Sequence, residues 1–135
     1  MIVKIETEIG KFISIATLSA YHDDNSPFMH RGIHHKKEYS INTEKGSRQI
    51  QEIRILLHGW KELKPVPDMK VIIKPSSPYI DACLKSLTKW QQSGWKTGKG
   101  KEVKHKEEWQ EIYELINNFE VEVKNEQINM EKRKR

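Results

Sequence analysis

Lysine is the residue whose spacing in this chain promises the most chemistry. Seven lysines (Lys85, Lys89, Lys96, Lys99, Lys101, Lys104 and Lys106) fall in one stretch with a single acid, Glu102. That stretch carries +6 while the whole chain carries +5, so the remaining 113 residues sum to −1. Ammonium groups gathered this way neutralise phosphates and release condensed counterions, and an exposed indole face stacks on sugars or bases. A polyanion, most commonly nucleic acid, is the partner such a patch fits, and a solvated charged face is the plainer alternative. A second cluster, Lys132-Arg133-Lys134-Arg135, follows a polar stretch without apolar periodicity and reads as a basic C-terminal tail over 127–135.

Other reactive residue types point to less. His22, His30, His34 and His35 with Asp23 and Asp24 match no standard metal-ligand spacing and read as surface histidines. Cys83 has no paired base at helical spacing and falls on an apolar stripe, as an inert core thiol does. The pair Ser76-Ser77 has no adjacent histidine to activate it and reads as a helix cap. A lone cysteine forms no internal disulfide, and with no zinc-type Cys/His cluster the reducing cytoplasm is the expected compartment.

The elements that must position these groups follow from periodicity. The chain has 135 residues, 36% hydrophobic and 32% charged, which suits one soluble globular domain, expected over 1–126, and neither a disordered chain nor a membrane protein. No run of about 18 apolar residues occurs, and Met1-Ile2-Val3-Lys4 lacks a signal-peptide layout, so neither membrane spanning nor secretion is expected. Val3 to Glu6 alternates, Ile9-Gly10 offers a turn, and Phe12 to Leu18 is rich in β-branched and apolar residues, predicting a hairpin. Turn formers Asp23 to Pro27 precede a third strand around Lys37 to Asn42. Ile50, Ile53, Leu56, Leu57, Trp60 and Leu63 then lay one stripe along a helix capped by Ser47 and stopped by Pro65 and Pro67. The continuous apolar run Val71-Ile72-Ile73 predicts a central strand covered on both faces. Pro78 opens a second helix with Ile80, Cys83, Leu84, Leu87 and Trp90 buried, Trp109 to Ile116 forms a third, and Val121 with Val123 closes the sheet. The fold class is mixed α/β, a five-stranded mixed sheet in the order β-β-β-α-β-α-α-β with helices packed on it.

One ungapped run carries a specific resemblance. Val71 to Ile80, continuing into Trp90-Gln91-Gln92-Ser93-Gly94-Trp95-Lys96-Thr97 and on through Lys99, Lys101, Val103-Lys104 and Trp109, preserves W-x4-W-K-T, a lysine-rich connection, V-K and a tryptophan in the next helix. It resembles bacterial type-one ribonuclease H over about 40 residues; Ser47 to Val123 follows less closely, and the first 46 residues agree only in strand order. The resemblance implies a basic protrusion that grips the DNA strand of an RNA/DNA hybrid through Trp90, Trp95, Lys96, Lys99, Lys101 and Lys104. Trp90 and Trp109 also extend helical apolar stripes and fit the core equally. Trp95 lies between glycine and lysine, off any stripe, and is the better candidate for a contact.

The catalytic half departs from that family. The resemblance implies two Mg²⁺ ions held by four carboxylates, one ion activating water and the other steadying the leaving oxygen. In this chain Glu8 stands where the family's first aspartate is expected, with Glu6 exchangeable for the same corner, and Glu52 matches the helical glutamate. Ser76 replaces the strand-end aspartate, and the final helix bearing the fourth acid is not evident. Glu8 and Glu52 are the residual catalytic and metal candidates, with Mg²⁺ or Mn²⁺ as cofactor if activity survives, and solvent-facing acids as the alternative. Asp68, Glu122 and Glu126 are further acids without supporting spacing. The expectation is a binder of RNA/DNA hybrid or duplex that has lost hydrolysis. A weakly active hybrid endoribonuclease and a non-catalytic scaffold meeting an acidic protein partner are the alternatives.

Overall fold

The computed structural model of the protein describes residues 2–21 and 35–124. The turn formers Asp23 to Pro27, the histidines His22, His30 and His34, Glu126 and the tail over 127–135 lie outside the described residues. The elements are β1 (Ile2–Ile9), β2 (Ile13–Tyr21), β3 (His35–Asn42), α1 (Arg48–Lys61), β4 (Lys70–Lys74), α2 (Pro78–Gln92), α3 (Lys106–Ile116) and β5 (Glu120–Val123). Their order is the one periodicity predicts.

The sheet runs β3-β2-β1-β4-β5. β1 and β2 pair antiparallel with Ile5 opposite Leu18, and β2 and β3 pair antiparallel with Ala16 opposite Tyr39. The crossovers through α1 and through α2 and α3 make β4 parallel to both β1 and β5, with Ile73 beside Ile5 and Val123. Because strand side chains alternate, one face collects Val3, Ile5, Ala16, Leu18, Val71 and Ile73, all buried. Ile53, Ile55, Leu56 and Trp60 of α1 and Ile80, Leu84 and Leu87 of α2 join them in one core. Burying each such side chain contributes roughly 1.5–3 kcal/mol.

The second face corrects one expectation. β4 is buried at Val71 and Ile73 but half exposed at Lys70, Ile72 and Lys74, so it is covered on one face and not on both. There the sheet is held by ion pairs: Lys70 to Glu122 at 2.7 Å, Lys124 to Glu122 at 3.7 Å and Lys74 to Glu6 at 3.6 Å. The Lys70 ammonium hydrogen-bonds Glu122 and is raised above its usual range, while the Glu122 carboxyl is lowered.

Helix ends follow their caps. Ser47 accepts from the Ile50 amide at 3.3 Å, and α1 stops at Lys61, short of Leu63 in the predicted stripe, because Pro65 has no N–H for the Lys61 carbonyl and its ring would clash there. Gly59 sets how closely α1 lies on β2. A Cβ built there falls 2.6 Å from the Ala16 Cβ, a distance the rigid strand cannot relieve. Gly59→Ala should therefore destabilise by roughly 1–3 kcal/mol through overpacking, although alanine is the better helix former. Denaturant unfolding checks this, and a stabilised variant would show that α1 floats above the sheet.

Candidate functional site and basic hairpin

Glu52 lies in α1 above the end of β4 and is only 2% exposed. Its carboxylate is enclosed by donors. Arg48, one turn earlier, donates from Nε to Oε1 at 3.1 Å, while Ser76 and Ser77 donate their hydroxyls to Oε2 at 2.8 and 2.5 Å. Ser77 does two jobs, since its Oγ also accepts from the Ile80 amide at 3.3 Å as the N-cap of α2. The carboxylate thus sits at the positive end of α2 and joins α1, the β4 exit and α2 through charge-assisted bonds.

Glu8 is placed differently. It is exposed near the end of β1 and lines a shallow groove with Glu6, Thr17, Ser19, Lys36 and Glu38, on the face opposite Val3 and Ile5. The partners of Glu52 are Arg48, Ser76 and Ser77, and Glu8 is not among them. Asp68 precedes β4 at the far end of that strand, and Glu122 is engaged by Lys70. Among the described residues no three His, Cys, Asp or Glu side chains gather to hold a metal. The fit to a Mg²⁺ pair fails on chemistry as well. Mg²⁺ keeps several waters and takes carboxylates that face it, whereas the buried Glu52 carboxylate already accepts from two hydroxyls and a guanidinium. The alternative of Glu52 as a solvent-facing acid fails equally, because its side chain is inside.

Next to this cluster, burial and then the neighbouring Cys83 push the Tyr79 hydroxyl up to about 12, and burial raises the Cys83 thiol. Cys83 is free and buried, on the apolar stripe where the sequence places it.

The lysine-rich connection folds into a small hairpin. Lys96 bridges Glu102 across it, Thr97 donates its amide to the Lys101 carbonyl at 2.7 Å, and the Gly100 amide closes the turn on the Thr97 carbonyl at 2.9 Å. Lys96, Lys99, Lys101 and Lys104 are all exposed. Lys106 pairs with Glu102 at 2.6 Å, which raises the lysine and lowers the Glu102 carboxyl. Lys99 and Lys101 have no ion-pair partner among the described residues. Lys104 reaches Gln49 in the first turn of α1 at 3.4 Å, so the hairpin returns to the end of the sheet that holds Glu52.

Trp95 is a correction. It was expected at the surface and is only 9% exposed. Gly94 and Trp95 both adopt left-handed backbone, at φ 73 and 64°, and the Trp95 amide bonds back to the Trp90 carbonyl at 2.7 Å. That reversal swings the indole under α2, edge-on to Tyr113 at 5.9 Å and 6.3 Å from Trp90, which lies 6.4 Å from fully buried Trp109. Trp90 is half buried, so the tryptophans anchor the hairpin and the lysines form its outer surface. Val103, also buried, donates its amide to the Trp95 carbonyl at 3.0 Å and anchors the second arm.

No family model matches the chain. It is 33% identical over 91 residues to a ribonuclease H of Idiomarina loihiensis, an alignment covering 67% of this chain and 57% of that protein. It is 31% identical over 90 residues to a ribonuclease H of Caldicellulosiruptor saccharolyticus, covering 65% and 59%. The chain thus spans somewhat over half the length of the curated relatives it matches. Among solved structures, the crystal structure of a type 1 RNase H with the type 2 active-site motif superposes with a TM-score of 0.63 at 18% identity, covering 91% of this chain and 61% of that one. The PFV RNase H domain gives 0.57 at 16% identity, covering 91% and 76%. A foamy viral protease-reverse transcriptase in complex with RNA/DNA hybrid gives 0.56 at 17% identity, covering 96% of this chain and 18% of that one. Among the described residues no helix is long and apolar enough to cross a membrane.

The burial of Trp95 and the enclosure of Glu52 make two predictions. Trp95→Ala should cost roughly 3–5 kcal/mol of folding stability, as loss of a core aromatic does. A loss under about 1 kcal/mol in a urea titration would place the ring at the surface. Glu52→Ala leaves two hydroxyls and a guanidinium without their acceptor and should cost about 1–3 kcal/mol. The wild-type melting temperature should be the same in EDTA and in Mg²⁺, and a rise with Mg²⁺ would reveal a metal bound to the folded state.

Proposed function

We propose that this chain, 33% identical over 91 residues to a ribonuclease H and sharing the fold of solved RNase H structures, binds nucleic acid, an RNA/DNA hybrid or duplex, through its basic hairpin without hydrolysing RNA. The observation that carries this reading is the contrast between two sites. The exposed lysines stand on a hairpin anchored by buried Trp95 and Val103, so the backbone that presents them to phosphates is fixed. The acid site has Ser76 where the resemblance calls for aspartate, and its one buried carboxylate is bound to protein donors. A hydroxyl supplies no negative charge to a cation, and function does not travel with the fold. Glu8 and Glu52 then act separately, the first as a surface acid and the second as a structural one. Within the proposed interface Lys96, Lys99, Lys101 and Lys104 touch phosphates, while Trp90 and Trp95 position the hairpin.

Fluorescence anisotropy of a labelled RNA/DNA hybrid, with matched DNA and RNA duplexes and EDTA present, tests the grip at several salt concentrations. Reversing Lys96, Lys99 and Lys101 to glutamate should abolish binding at moderate salt and flatten the logarithmic salt slope by at least about three, one per lost phosphate contact. Unchanged affinity would overturn the assignment. Incubation of the hybrid with Mg²⁺ or Mn²⁺ should leave the RNA intact. Cleavage that disappears in Glu52→Gln would restore a hydrolytic role.

A further inference from the structure

One exposed aromatic ring lies outside the lysine hairpin. Phe12, in the turn between β1 and β2, is 73% exposed, the most exposed large apolar side chain among the described residues. Its ring carries the Lys11 ammonium 5.5 Å from its centroid. The turn beneath it is rigid. A Cβ on Gly10 would stand 2.2 Å from the Ile13 carbonyl oxygen, so only glycine fits the turn. The Phe12 carbonyl accepts from the Thr43 amide at 2.8 Å, and the Thr43 hydroxyl donates to the Gly10 carbonyl at 2.9 Å. Phe12 is therefore presented to solvent by a fixed backbone, which lowers the ordering cost of any contact it makes.

The turn is also connected to the hairpin through the start of α1. Thr43 leads into Glu44, which is held on Gln51 of α1 by a Gln51 amide donating to its carbonyl at 2.7 Å. Gln49, half a turn earlier in α1, receives Lys104 from the hairpin. One linked series of contacts thus runs from the Phe12 turn across the start of α1 to the basic hairpin, at the end of the sheet where β1 and β4 finish. Resting on the reading that the hairpin grips nucleic acid, we propose that Phe12 and Lys11 receive the strand beyond the duplex, with an unpaired base stacking on the phenyl ring and its phosphate near the Lys11 ammonium. An unpaired base is the occupant because stacking needs a free π-face, which bases inside a duplex have already spent on their neighbours, and the adjacent ammonium favours a ligand carrying phosphate.

The test compares a blunt RNA/DNA hybrid with the same hybrid bearing a single-stranded DNA overhang that contains 2-aminopurine. Phe12→Ala should weaken binding of the overhang hybrid about five- to hundredfold, leave the blunt hybrid unchanged and keep the salt slope, because a phenyl ring displaces no counterions. Phe12→Trp should retain affinity and quench the 2-aminopurine, whereas Phe12→Leu, apolar but not flat, should lose both. Melting curves confirm that each variant folds. Full affinity for the overhang in Phe12→Ala, with binding still lost on reversing the hairpin lysines, overturns this inference and leaves the proposed function standing. A wild-type protein that binds no nucleic acid overturns both. Affinity retained by Phe12→Leu, or a concentration-dependent dimer in sedimentation that Phe12→Ala dissolves, assigns the ring to an apolar or protein contact and also overturns it.

Discussion

The buried carboxylate of Glu52 is the interaction on which the arrangement of the helices turns. A charge at that depth is tolerated only when its lone pairs are met, and here two serines at the β4 exit and an arginine one helical turn away meet them. The bonds fix where α2 begins relative to α1. That in turn fixes where α2 ends, where the chain reverses at Gly94, and where the basic hairpin emerges. The hydroxyl of Ser77 couples the two requirements, since capping α2 and satisfying Glu52 use the same atom.

This geometry gives the acid in α1 a structural role, since it ties that helix to the β4 exit and the start of α2. A carboxylate facing other acids would depend on cations to offset repulsion. Facing hydroxyls, a guanidinium and a helix N-terminus, it is compensated by the protein itself. Replacing an aspartate by serine at the strand end, as the family resemblance implies for Ser76, removes a charge and also supplies the donor that closes the network.

Much of the fold was legible in the chain. The 3,3,1,3,3 spacing from Ile50, the Ser47 cap and the Ser77-Pro78 start identify α1 and α2 because local sequence and tertiary burial agree there. β4 was read as covered on both faces because Val71-Ile72-Ile73 is uniformly apolar, yet Ile72 lies on the ion-paired side. Trp95 was misplaced for a different reason. Helical periodicity sees only residues inside a helix, and two successive left-handed residues carried this one back under α2 after the helix had ended. The serines were read as a cap, which Ser77 is, but their bonds to Glu52 span 24 and 25 residues and leave no local trace. Phe12 was visible as part of an apolar strand, and only the turn geometry shows that it stands outside the sheet ladder.

The uneven charge has a consequence for motion before contact. On the open face of the sheet Lys70, Lys74 and Lys124 alternate with Glu6 and Glu122, so positive and negative potentials cancel over short distances. The stretch from Lys85 to Lys106 is less balanced: it holds +6 against −1 for the rest of the chain, and in its hairpin Lys96, Lys99, Lys101 and Lys104 outnumber the one acid, Glu102, which Lys106 pairs. In the field of a polyanion the basic stretch is drawn in and the mixed-sign face of the sheet is not, so of these two surfaces the hairpin side aligns with the partner. That alignment acts within about a Debye length, roughly 8 Å at physiological ionic strength, and fades as salt rises.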